Sequence, residues 1–178
     1  MISALKKAKS RLKSLTMYDL KLSGNATEQN LYLDTILQLK ELIHLDVSYT
    51  KDETVFDALV LNSKLKISDL MLNFNALPKL ISLDISGREL SDVELLKNFL
   101  LHHKNLKFLG LMMTELCSHS MFEKYSEISN QMPDLFVTGN ACEEQTLEAL
   151  KRYSHRPYFV QKALSHLFSI THVSIFFS

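Results

Sequence analysis

The 178-residue sequence has few glycines, few cysteines, no excess of either charge and no long apolar run. Its four glycines are isolated along the chain, so it contains no glycine-rich loop that could cradle a phosphate. Its two cysteines lie 25 positions apart, and no secretory leader is recognisable before them. We therefore expect reduced thiols in an intracellular protein, cytoplasmic or nuclear, rather than a disulfide scaffold.

The charges of the chain are balanced, with 20 Lys and Arg against 20 Asp and Glu. A balanced chain creates no global field that would attract nucleic acid or an anionic membrane. The longest candidate apolar run, residues 173–177, is far shorter than the roughly 20 residues that a bilayer-spanning helix needs. We therefore expect a soluble protein that binds neither nucleic acid nor membranes.

What the sequence does contain is a repeated leucine pattern. The segment LIHLDVS at residues 42–48 returns almost unchanged as LISLDIS at residues 80–86. The pattern Leu-x-x-Leu-x-(Val/Ile/Leu) is the signature of leucine-rich repeats, in which a strand and a return segment must stack on neighbours to bury their apolar faces. The expected fold class is therefore α/β. It is a leucine-rich-repeat horseshoe with parallel strands on the concave side and helices on the convex side.

The second leucine of each pattern predicts where the strands lie. These strands are centred on Leu15, Leu45, Leu83, Leu109 and Leu135, at spacings of 30, 38, 26 and 26 residues. The 38-residue interval is anomalous, since such repeats run about 20 to 29 residues. Residues 67–75 also match the pattern and offer an extra strand around Leu70, but only 13 residues would then remain before Leu83. We favour an enlarged convex segment that leaves the strands of Leu45 and Leu83 adjacent.

Helical return segments are predicted between the strands. Residues 52–60 offer a capping Asp52 followed by apolar side chains at helical spacing. Residues 91–100 repeat this design, with Ser91 placed three residues before Glu94 as in a capping box. Both segments precede a Lys- and Asn-rich corner, so convex helices should alternate with concave strands.

The pattern changes after residue 140. Residues 143–153 and 157–171 are predicted to form two armadillo-like helices with no strand between them. The second helix carries one apolar stripe: Val160, Ala163, Leu164, Leu167 and Ile170. We divide the chain into a repeat region at 1–140, the start of an armadillo-like region at 141–172 and a divergent tail at 173–178. The uncharged tail is typical of aggregation-prone segments, which favours a more soluble product after truncation at residue 140.

The candidate catalytic and metal-ligating residues are wrongly spaced for either chemistry. His102 and His103 are adjacent, and His166 and His172 are six apart, whereas ligands on one helix face lie three or four apart. Cys142 and His155 could form a nucleophile pair, but no orienting Asn or Asp and no oxyanion loop accompany them. We expect no enzyme, no cofactor and no metal.

The concave face offers the candidate binding residues. Because strand side chains alternate, an inward leucine leaves its neighbours facing outward. The tentative partner-binding residues are Tyr18, His44, Asp46, Asp84, Phe108, Met112 and Phe136. An uncovered patch of Phe108, Met112 and Phe136 would indicate a contact surface. The alternative is that the two terminal helices fold over these three residues.

The segment EALKRYSHRPYFVQKALSHLFSIT, residues 148–171, resembles the junction that enters the armadillo-like region of the Zyg-eleven family. Members of that family are substrate receptors of cullin-2 RING ubiquitin ligases. They carry an amino-terminal box for elongin and cullin, then leucine-rich repeats, then carboxyl-terminal armadillo-like repeats that bind amino-terminal glycine degrons. The resemblance covers about residues 1–172. It implies a non-enzymatic segment of such a receptor, with elongin B, elongin C, cullin-2 and glycine-degron substrates as partners of the complete architecture.

The sequence departs from the family pattern in two places. The chain opens inside a predicted return helix, so the box that binds elongin and cullin is expected to be absent. The armadillo-like repeats stop after their first helices, so no degron-pocket residue can be carried over. These departures predict impaired ligase assembly. A stand-alone leucine-rich-repeat scaffold that binds a protein through the concave face is the alternative function.

Overall fold

A computed structural model describes residues 1–20, 26–50 and 66–176, without the side chains of 26–29 and 172–176. The strands are β1 (Ser14–Thr16), β2 (His44–Asp46), β3 (Ser82–Asp84), β4 (Phe108–Gly110) and β5 (Phe136–Thr138). The helices are α1 (Ile2–Ala8), α2 (Ala26–Leu37), α3 (Ile67–Leu72), α4 (Val93–His102), α5 (Glu127–Gln131), α6 (Glu143–Arg152) and α7 (Pro157–Phe176), with a 3-10 turn at Ser120–Phe122. The α/β class is therefore confirmed.

The five strands form one all-parallel sheet in chain order, β1-β2-β3-β4-β5. Leu45 pairs directly with Leu83, which confirms that the 38-residue interval leaves adjacent strands. Leu70 lies in α3 and is 1% exposed, so it adds to the core without adding a strand. The predicted helix at residues 52–60 lies outside the described residues.

The prediction for the last strand was wrong by two residues. Leu109 pairs with Val137 rather than with Leu135, so the spacing is 28 residues instead of 26. Leu135 instead closes the turn before β5, because its amide donates to the carbonyl of Met132 at 3.0 Å. An even shift preserves the facing of side chains along a strand, so Phe136 and Thr138 keep their predicted outward side.

The core follows the repeated pattern. Each of the strands β2, β3 and β4, together with the residues beside it, places three inward side chains at 2% exposure or less: Leu42, Leu45, Val47, Leu80, Leu83, Ile85, Leu106, Leu109 and Leu111. Full burial of one such side chain contributes about 1.5 to 3 kcal/mol. Helix α4 covers this core with Phe99 and Leu100, each 1% exposed or less. Its N-cap is Asp92, which accepts from the Leu95 amide at 2.9 Å, so the predicted cap at Ser91 was one residue early.

The two carboxyl-terminal helices pack onto the strands rather than standing apart. Their core contains Met112, Ala149, Tyr153, Phe159 and Ala163, each 1% exposed or less. Helix α7 continues to Phe176, beyond the predicted end of the helix at residue 171. The predicted stripe on α7 is buried only at Ala163, while Leu164 is 52% exposed, because the docked face is set by Phe159 instead.

Candidate functional site

The outward side of the sheet, which we call the strand face, consists of two rows of paired residues. The first row is Ser14, His44, Ser82, Phe108 and Phe136. The second row is Thr16, Asp46, Asp84, Gly110 and Thr138. Helices α6 and α7 cover the second row from β2 to β5 and leave the two ends of the first row open.

Arg156, in the turn between α6 and α7, is the main polar contact with the strand face. Its Nη2 donates to Asp46 Oδ2 at 2.6 Å, and its Nη1 donates to Ser48 Oγ at 2.9 Å. The same Nη1 lies 3.6 Å from Asp84 Oδ2. The guanidinium also stacks 4.2 Å from the ring centroid of Tyr18, a cation–π arrangement. One side chain thus joins β2, β3 and the segment after β1.

Tyr153, at the end of α6, makes the second polar contact. Its hydroxyl donates to Asp84 Oδ2 at 3.0 Å. Because a phenol has one proton, the hydroxyls of Ser86 and Thr138, each 2.9 Å away, then donate to the phenolic oxygen. A Cβ at Gly110 would lie 2.1 Å from Asp84 Oδ1 and 2.7 Å from the Tyr153 hydroxyl, so only glycine fits between them.

Burial changes the acid–base behaviour of this cluster. Burial first, and then repulsion by Asp46, raises the pKa of Asp84, against hydrogen bonds from Ser86 and Tyr153 that lower it. Burial and the neighbouring Asp84 raise the pKa of Tyr153 well above its usual value, which keeps the phenol protonated. For Arg156, burial lowers the pKa, but the hydrogen bond and charge of Asp46 outweigh it and the net shift is upward. Arg156 is therefore a permanent cation between two carboxyl groups.

The predicted binding residues divide into covered and open sets. Asp84 is 5% exposed, so it was wrongly expected to face solvent. Phe108 and Met112 are 5% and 0% exposed, so of the two alternatives the covered one applies to them. Helices α6 and α7 cover them, and the guanidinium of Arg152 lies 3.5 Å from the centre of the Phe108 ring.

The open set lies at the two ends of the first row. His44 is exposed, and Phe136 is 64% exposed. Tyr18 and Asp46 are half-buried beneath Arg156. The alternative that the terminal helices fold over the apolar patch therefore holds for Phe108 and Met112 but not for Phe136.

Sequence reasoning missed Tyr153 and Arg156 as partners of the strand face. A signal was present, because Asp46 and Asp84 recur at the same position of adjacent strands and buried carboxylates need a cation. The sequence around Asp46 does not reveal which basic residue pairs with it, since Arg156 lies 110 residues later.

The candidate metal-ligating residues give no assembled metal site in the described part of the chain. No group of three or more His, Cys, Asp and Glu side chains there could hold a metal ion. Burial raises the pKa of both Cys117 and Cys142, which lowers their thiolate fraction. No helix within the described ranges is both long enough and apolar enough to cross a bilayer.

No protein-family model matches the sequence, and no solved structure matches the fold. Over residues 1–20, 26–50 and 66–176, the fold defines an α/β class with a five-stranded parallel sheet and a docked helical pair.

Proposed function

We propose that this chain is a protein-interaction segment of a substrate-receptor subunit of a cullin-2 RING ubiquitin ligase, of the Zyg-eleven type. In this proposal residues 1–140 are leucine-rich repeats of a horseshoe, and residues 141–172 begin the armadillo-like region. The inward ladder of leucines and the strict strand order support the repeat assignment. In this proposal the segment binds other proteins and catalyses no reaction.

One observation carries the proposal beyond a generic repeat protein. Tyr153 and Arg156 both lie within residues 148–171, the stretch that resembles the junction of the Zyg-eleven family. These two side chains attach the helical pair to the strand face through Asp46, Ser48, and Asp84. A stretch whose task is to join repeats to armadillo-like helices needs contacts of this kind.

The polar cluster is better explained as a joint than as an active site. Asp84 and Tyr153 are 5% and 1% exposed, and their polar atoms are engaged with one another and with Arg156. A catalytic acid or base must be within reach of a substrate. The cluster therefore supports a non-enzymatic role.

Co-purification tests the ligase assignment. The tagged chain should be expressed in cells, crosslinked before lysis and probed for elongin B, elongin C and cullin-2. Crosslinking retains complexes that dissociate during lysis and washing. Recovery of the three proteins above an unrelated tagged control supports the receptor assignment.

The alternative is a stand-alone interaction scaffold. It is favoured by the open end of the strand face, where Phe136 is 64% exposed beside half-buried Leu135 and Val137. Recovery of other proteins, without any of the three ligase components even after crosslinking, would replace the ligase assignment by this one.

A further inference from the structure

A groove of about 330 Å³ opens beside β5, and we call it the β5 groove. Its floor is apolar and is formed by Phe122, Ile128 and Met132, from the segment that returns to β5. This volume lies within the range of about 300 to 1,000 Å³ that is typical of ligand pockets. The groove is therefore large enough to hold an apolar side chain of a partner protein.

One wall of the β5 groove is the edge of β5 itself. Three consecutive residues, Leu135, Phe136 and Val137, line the groove. Leu135 precedes β5, whereas Phe136 and Val137 are consecutive residues of the strand. Consecutive strand side chains point to opposite faces, so a groove that meets both strand residues must meet the strand at its backbone edge. Phe136 extends from this wall and is 64% exposed.

The backbone of β5 has hydrogen-bonding groups on this edge. The Phe136 amide donates to Lys107 O at 2.9 Å, and Thr138 O accepts from the Leu111 amide at 2.9 Å, so both residues direct these groups toward β4. Alternation then directs the amide and carbonyl of Val137 to the other side. Within the described residues β5 is one of the two edge strands, so this edge resembles a template for a further strand.

The opposite wall is one face of α6, and it is mainly acidic. Glu144, Glu148 and Lys151 line the groove from this helix at helical spacing. Hydrogen bonding by its own backbone amide, followed by that from Cys142, lowers the pKa of Glu144, so it is ionised at neutral pH. Among the lining side chains two carboxylates face one ammonium, and Arg152 reaches Glu148 only at 4.0 Å, so the groove favours a partner with a basic side chain.

We propose that the β5 groove binds an extended segment of a partner protein, which adds to the sheet as a strand beside β5. The segment places an apolar side chain on the floor of the groove and a Lys or Arg against Glu144 and Glu148. Main-chain pairing supplies affinity in this mode of recognition, and the pockets for alternate side chains supply specificity. The inference rests on the proposed role as a protein-interaction segment, but not on the identity of the ligase.

Selection from a phage library of random dodecapeptides, panned against the purified full chain, provides the probe. The most enriched peptide is then synthesised with a fluorescent label and titrated by anisotropy. We expect enriched sequences to combine one large apolar residue with a nearby Lys or Arg. The double variant Glu144→Lys with Glu148→Lys should weaken binding by about tenfold or more, which corresponds to about 1.4 kcal/mol.

A matched control makes the same change in charge, two glutamates replaced by lysine, outside the β5 groove. The double variant Glu143→Lys with Glu94→Lys alters two exposed glutamates in first turns of helices, neither of which lines the β5 groove. It should bind the peptide like the parent chain. Phe136→Ala should also weaken binding, and circular dichroism should show that all variants remain folded.

Backbone methylation of the peptide tests strand addition itself. Methyl groups on alternate peptide amides should abolish binding, and those on the intervening amides should not, because only every second amide faces β5. Equal binding to the groove and control variants, no alternation with methylation, or no enrichment in the selection would each overturn the proposal. These outcomes come from purified components, so they are distinct from a failed recovery of cullin-2 in cells.

Discussion

Replacing Arg156 by Met should destabilise the fold strongly. The guanidinium lies between Asp46 and Asp84, whose side chains are 18% and 7% exposed, and is itself 10% exposed. Met keeps much of the apolar stem that packs near Tyr18 but removes the charge. Removal of one partner of a buried ion pair costs about 3 to 5 kcal/mol, because the other charge stays buried without compensation.

This loss is large beside the whole stability of a domain, which is about 5 to 15 kcal/mol. It should appear as a lower urea midpoint with an unchanged slope. The chain has no tryptophan, so far-ultraviolet circular dichroism is the suitable signal. Lys79→Met is the matched control, because that side chain is 56% exposed and its ion pair with Glu41 lies at the surface. It should cost no more than about 1 kcal/mol.

A double-mutant cycle identifies the origin of the loss. If unpaired carboxylates cause it, Arg156→Met should cost less in an Asp84→Asn background, with a coupling of about 0.5 to 3 kcal/mol. The electrostatic account of this joint is refuted if Arg156→Met costs under about 1 kcal/mol, as surface substitutions do. It is refuted as well if the cost is the same in both backgrounds.

Four further outcomes are expected. Leu83→Ala should cost about 2 to 5 kcal/mol in chemical denaturation, since Leu83 is 0% exposed, and a cost below that range would place it outside the core. Phe136→Ala should change stability by no more than about 0.5 kcal/mol in the same assay, and a loss of several kcal/mol would show that it is packed. Burial and Asp46 raise the pKa of Asp84 above 3.8, so its contribution to stability is lost as pH rises through the raised pKa. In denaturation at a series of pH values, the free energy of unfolding of Asp84→Asn should therefore rise relative to that of the parent chain from about pH 4 upward. The opposite trend would contradict the raised pKa. The chain truncated after Asn140 should aggregate in size-exclusion chromatography, because the truncation uncovers Met112. The tail composition predicted the opposite, and a monomeric truncated product would support that earlier prediction.

The repeat pattern predicted the sheet because its signal is local and periodic. Leu45 and Leu83 occupy the same place in nearly identical segments, and their pairing follows from that identity. The last strand lacked this support, since Leu135 and Val137 both fit an inward position. Leu135 closes a turn with Met132, and this leaves Val137 as the inward residue of the strand. A leucine pattern carries little information about where such a turn closes.

The docking of the terminal helices could not be predicted to the same degree. Apolar spacing on α7 indicated a stripe that includes Leu164, but the buried face is set by Phe159 and Ala163. Which face docks depends on the shape and charge of the strands beneath it, and these come from residues far away in the sequence. Asp84 was read as solvent-facing for the same reason, because the residue that covers it, Tyr153, lies 69 positions away.

The reach of Arg156 has a consequence for how the chain folds and unfolds. Strand pairing in the sheet joins only successive strands, a connectivity that allows a stacked protein to fray from one end. The bond from Arg156 to Asp46 bridges 110 positions and passes over three strands. Fraying of β5 and α6 must therefore break a contact with β2, so the last helices and the second strand should exchange their amide hydrogens in one cooperative unit. A closure between such distant positions also forms late, which makes docking of the helical pair the slow step after the strands have stacked.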